Sequence, residues 1–264
     1  MLADDFMRQA FAAVILVGLM SGVVGYVLVL RAEAFAGHAL SHIGFTGAAG
    51  AVLIGAPPLA GLVGASVLAG IGMGLLGARA AERDVAIGVV LTASLGLGLL
   101  FLRFFTGSAT QATALLFGNV LAVDPATVWA LGGLAAVTLA ALSAILRPLL
   151  FASLQPEVAR ARGVDPRGLG VGFLALVGLA TAGAAEVVGV LLTFALLVGP
   201  AATALRLTPR LTAGIALSAT LAVAEGVGGV ALSWLTDWPV SFWIAALSAG
   251  VYAAAALTTR PWPT

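Results

Sequence analysis

The chain has 264 residues, of which 61% are apolar and only 9% charged, with a net charge of +1 and a mean hydropathy of +1.15. No water-soluble domain of this length needs so much apolar surface, and so weak a charge excludes a phosphate-binding footprint for nucleic acid. The absence of cysteine excludes disulfides and thiolate metal sites.

Runs of about 20 apolar residues recur along the whole sequence, the length that a bilayer's hydrocarbon core demands of a helix. Helices satisfy their own backbone hydrogen bonds in lipid, so the fold class is all-α: a polytopic helical membrane protein. Nine spans are predicted, at 8–30, 34–55, 58–78, 85–103, 126–146, 168–184, 186–205, 211–235 and 240–257, within one membrane domain over 1–264. Pro57, Pro58, Pro125, Pro148, Pro156, Pro166, Pro209 and Pro239 fall in or beside the breaks, whereas Pro200 falls inside a span. The start, Met1 to Arg8, lacks the basic region of a secretory signal, so the first apolar run reads as a retained span.

All 12 basic residues are arginines. With nine spans and an external N-terminus, Arg31, Arg79, Arg83, Arg147, Arg160, Arg162, Arg167, Arg206, Arg210 and Arg260 lie inside and only Arg8 and Arg103 outside. Positive-inside bias selects this orientation. Gly18 and Gly22, Gly70 and Gly74, and Gly168 and Gly172 have the spacing of small-residue pairs that let helices approach closely.

The second span carries the only histidines, His38 and His42, in apolar, glycine-rich surroundings. A spacing of four puts both imidazoles on one helix face, about 6 Å apart. Two such rings suit a first-row metal ion, although a closed site takes more ligands than two. The other reading is a pair of core histidines, hydrogen-bonded to each other, to Ser41 or to a neighbouring helix.

Residues 104–125 are too polar and too short to span, and predict an external loop with a short interfacial or re-entrant helix. The longest polar segment, Leu154 to Arg167, predicts a cytoplasmic helix of about two turns. Pro156 stands at its first position, Glu157 favours its start and Gly163 suits its stop. So short a helix needs a partner surface; the alternative is a solvated turn between two spans. Two acids lie in apolar runs: Glu225 near mid-bilayer and Glu186 near the outer turn. Intramembrane carboxylates are either pathway groups or protonated helix-bonding groups. No phosphate-binding Gly-x-x-x-x-Gly-Lys-[Ser/Thr] loop exists, because the chain has no lysine at all. If transport here is driven by ATP, another chain must bind it.

Five stretches together resemble the membrane permease of bacterial zinc, manganese and iron ABC importers. They are Val29 to His42, Leu115 to Val123, Pro156 to Val164, Val188 to Ala202 and Ser233 to Asp237, in family order over nearly the whole chain. The resemblance implies a multi-pass protein of the bacterial inner membrane, a permease homodimer around a central path. It implies cytoplasmic ATPase subunits and an extracytoplasmic metal-binding protein as partners. The chain itself would be a transport subunit rather than an enzyme, with no permanent cofactor and a divalent metal as cargo, zinc first, with manganese or iron possible. The coupling helix would lie at 155–163, with Gln155, Pro156, Glu157, Arg160 and Gly163 meeting the ATPase. His42 matches the family's pathway histidine. His38 departs, because the family usually carries aspartate there, and two imidazoles lean toward zinc or a later metal. Glu186 and Glu225 match no family position. The alternative is a secondary metal transporter with a proton relay through Glu225 and the histidines.

Overall fold

The structure, a computed structural model, describes residues 5–76, 80–104, 116–118 and 120–259. Among these lie ten α-helices: α1 Asp5–Leu30, α2 Ala34–Leu53, α3 Pro58–Leu75, α4 Ala80–Arg103, α5 Pro125–Leu154, α6 Pro156–Ala161, α7 Pro166–Val188, α8 Val190–Leu207, α9 Leu211–Thr236 and α10 Val240–Thr258. A single 3-10 turn, Val120–Ala122, precedes α5. The protein is a polytopic helical membrane protein.

All helices but α6 coincide with the nine expected spans. Eight are long and apolar enough to cross a membrane. The exception is α2, whose 20 residues suffice in length but include His38, Ser41, His42 and Thr46. It nonetheless lies inside the bundle, packed by α3, α4, α7 and α8. Gly44 and Gly47 of α2 face Leu62, Ser66 and Gly61 of α3, so the two helices run antiparallel at backbone distance. On the other side Gly98 of α4 meets Phe45 and Thr46 of α2.

Small residues let the remaining helices close. Gly18 and Gly22 of α1 face the α9 backbone at Ala222 and Ala219, and Gly70 and Gly74 of α3 face α7 at Leu174 and Val171. The third expected pair does not pack between helices: Gly168 lies over the capping carboxylate of Asp165, and Gly172 faces open space. The core runs between α1, α2, α5, α7 and α8, with Met20, Val24, Leu28, Leu40, Phe173 and Leu197 fully or almost fully buried.

Two expected breaks lie elsewhere. The helix beginning at Pro125 continues through Pro148 to Leu154. A proline deletes one amide and frees the carbonyl of Ala144, a loss of one bond in a 30-residue helix. The break between the sixth and seventh spans falls at Gly189, which places Glu186 inside the last turn of α7. Gly189 has φ 83°, and Gly118 has φ 74°. These two glycines stand backbone against backbone, and a Cβ on either would strike the other's main chain. The Leu-Phe-Gly stretch before α5 and the run opening α8 therefore meet at one end of the bundle. The expected helix within 104–125 falls mostly on 105–115 and 119, outside the described residues.

At the opposite end, α6 has the expected start at Pro156, with six residues in place of two full turns, and Gly163 follows at φ 78°. Ala159 is its one buried residue. Asp165 then caps α7 by accepting the amides of Arg167 and Gly168, both at 2.9 Å.

Candidate metal-transit site

α2 presents His38 and His42 together. Their ring centroids are 4.7 Å apart and the planes meet at 80°. His38 also meets the Phe194 ring of α8 edge-on, at 5.2 Å. Both imidazoles are half-buried. Neither ring has a hydrogen bond to protein among the described residues, so the pair is not held as a hydrogen-bonded core pair. Ser41 is engaged elsewhere, donating to the Gly37 carbonyl at 3.1 Å. A ring pair with free nitrogens and partial access can take a metal ion, which needs neutral imidazole lone pairs. At 1.5 Å per residue, His38 lies about 6 Å and His42 about 12 Å from the Ala34 end of α2.

The same stripe continues to Thr46, a residue that sequence reasoning passed over. Thr46 Oγ1 donates to the Ser94 carbonyl of α4 at 2.7 Å and accepts from Ser94 Oγ at 2.9 Å. The spacing of four that linked the histidines could have found Thr46; its partner on α4 is visible only in three dimensions.

The two acids are not brought to the histidines: no group of three or more histidine, aspartate or glutamate side chains arranged for a metal exists among the described residues. Glu225 is only 3% exposed, and neither carboxylate oxygen has a hydrogen-bond partner. Ser248 of α10 stands beside it and gives its hydroxyl to the Ala195 carbonyl, at 3.2 Å. Glu186 stands half-buried in the last turn of α7, within electrostatic reach of Asp124. Asp124 caps α5, accepting the Thr127 amide at 2.7 Å, and its hydrogen bonds to Thr127 hold its carboxyl below the usual range.

The residues expected to meet an ATPase, Gln155, Pro156, Glu157, Arg160 and Gly163, are all exposed. Arg160 pairs with Glu157 at 2.9 Å, and Leu154 beside them is 82% exposed. The short helix thus offers a mixed polar and apolar outer surface.

A bundle of membrane-crossing helices, with a polar stripe on α2 and a short exposed helix at one end, is the architecture of a multi-pass membrane protein. The family model "ABC 3 transport family" matches residues 3–259. The manganese transport system membrane protein MntC of Halalkalibacterium halodurans is 33% identical over 238 residues, covering 90% of this chain and 82% of the relative. A Haemophilus influenzae membrane protein named for iron transport is 29% identical over 236 residues, covering 88% and 86%. Among solved structures, PsaBC from Streptococcus pneumoniae in complex with Fab superposes with a TM-score of 0.85 at 27% identity, covering 96% of this chain and 91% of that one. The chain belongs to the ABC 3 transport family and is an ABC-type metal permease.

Proposed function

We propose that this permease, one membrane domain over residues 1–264, carries a divalent first-row metal ion across a bacterial inner membrane into the cytoplasm, with His38 and His42 as its transit ligands. The observation that carries the reading is the pair of half-buried, unbonded imidazoles on the one helix too polar to look like a span. Two ligands per chain are incomplete. A second copy facing the same path would bring four, enough to strip water from an ion yet exchangeable enough to release it. Manganese is the first cargo and iron the second, because the relatives reported above are named for these metals. Zinc, which two imidazoles favour, finds no support in those names.

With the α6 end in the cytoplasm, the arginines keep the positive-inside bias, and α6 is the contact for an ATPase on a separate chain. A metal-binding protein at the opposite face delivers the ion. The family match weighs against the secondary-transporter alternative. The test is metal uptake in cells lacking other importers, comparing the parent chain with His42→Ala. Manganese uptake should fall at least tenfold at unchanged membrane abundance. Parental uptake would exclude the histidines from the path, and uptake of zinc alone would reassign the cargo.

A further inference from the structure

We infer that Arg31 is a positioning residue that ties the α5–α6 corner to the helix carrying the histidines; the inference rests on the function proposed above. Its guanidinium touches three helices at once. Nε and NH2 form a fork on the Glu33 carboxylate, both bonds at 3.1 Å. NH1 donates to Ser153 Oγ in the last turn of α5. The face of the guanidinium lies 5.3 Å from the Phe173 ring centre of α7.

Each contact falls at a mechanically consequential place. Glu33 is the N-cap residue of α2, and its carbonyl accepts the Ala36 amide at 3.0 Å. Five residues on stands His38. Ser153 is anchored to its own helix by a 2.7 Å bond to the Leu149 carbonyl, and Pro156, the first residue of α6, follows three residues later. Gln155 both ends α5 and begins α6. A displacement of α6 therefore reaches the α2 cap through three side chains, Ser153, Arg31 and Glu33.

The Arg31–Glu33 half of this connection is buried, while its Ser153 end is exposed. The Arg31 side chain is 14% exposed and that of Glu33 5%. A buried ion pair contributes little stability over an apolar substitute; what the two-bond fork supplies here is a fixed geometry between Arg31 and the α2 cap. The residue between them, Ala32, sits at φ 56°, a conformation that a Cβ disfavours and that surrounding contacts must enforce. Arg31 also stands as a strut between two clefts, not inside a packed core. One, of about 550 Å³, lies between the ends of α1 and α5 and the α8–α9 turn. The other, of about 450 Å³, lies between α2, α3, α6 and α7. Open space on both sides makes Arg31 a link across a gap; the second cleft is also crossed by Arg167, which donates to the Leu75 carbonyl at 2.8 Å.

The test uses the permease assembled with its ATPase in proteoliposomes, reading manganese taken up per ATP hydrolysed, with the thermal midpoint of the complex as control. Ser153→Ala removes only the α5 contact and leaves the Arg31–Glu33 pair intact. Arg31→Lys keeps the charge and loses the fork. Each should lower the metal-to-ATP ratio about three- to tenfold, the range expected for a broken coupling contact, while ATP hydrolysis and the midpoint stay near the parent. Ser153→Thr, which restores the hydroxyl, should recover the ratio. A parental ratio in Ser153→Ala overturns the inference, as does a fall in uptake and hydrolysis in equal proportion. If Arg31→Lys does not assemble, Ser153→Ala decides. A parent complex that hydrolyses ATP without moving manganese sinks the proposed function and this inference with it. An active parent with unaffected variants sinks the inference alone.

Discussion

α2 and α4 lie side by side, run the same way and are joined through Thr46 and Ser94, yet they obey opposite rules. α4 turns Val85, Val89, Leu97 and Leu99 outward, the first two 70% and 65% exposed, as a helix facing hydrocarbon must. α2 turns glycines toward α3 and keeps imidazoles and hydroxyls on its other stripe. Surrounded by protein, it has no need of an apolar surface, so it is the helix least recognisable as a span. Burial permits a polar stripe without requiring one, since α1 is also largely buried and strongly apolar. The helix proposed to hold an ion is one that neighbouring helices largely cover.

Changes placed on matching positions of the two helices should separate these roles. The largest effect is expected at Gly47, where any Cβ meets the Gly61 carbonyl. Gly47→Val should cost more than about 3 kcal/mol, because backbone cannot yield as a side chain can, and detergent-solubilised protein should show a large loss of folded yield. Survival of the variant with a parental melting point would show that α2 and α3 are not closely packed. A smaller loss is expected at the seam. Thr46→Val keeps the shape and removes both bonds to Ser94, for about 1 kcal/mol, read as a lower thermal midpoint with unchanged uptake. Loss of uptake without loss of stability would instead extend the transit site to Thr46. The smallest effect, and of opposite sign, is expected on α4. Nothing stands within 4 Å of a Cβ at Gly96. Gly96→Ala should raise stability by about 0.5–1 kcal/mol through helix propensity alone; a fall would mean that a second chain packs there.

Much of this was legible beforehand because membranes impose simple length rules. The nine long helices, the proline start of α6 and the glycine after it followed from residue type and spacing. The histidine pair was visible for the same reason. What stayed hidden depended on partners distant in sequence. Pro148 looks like a break until α5 is seen to run through it. The α7–α8 boundary at Gly189 depends on a second glycine 71 residues earlier that lies against it. The depth of Glu225 could be counted along its helix, whereas its burial between helices could not. Arg31 was read as one more topology-setting charge, since its link to Ser153 spans 122 residues.

The turn at Gly189 has a bearing on how such a bundle can move. With a single residue joining α7 to α8, where helix connections usually run to several, no slack exists at that corner. A tilt of α7 cannot be absorbed there and must swing α8 along with it, carrying Phe194 and the ring of His38 that leans on it. A one-residue turn is thus also a stiff elbow.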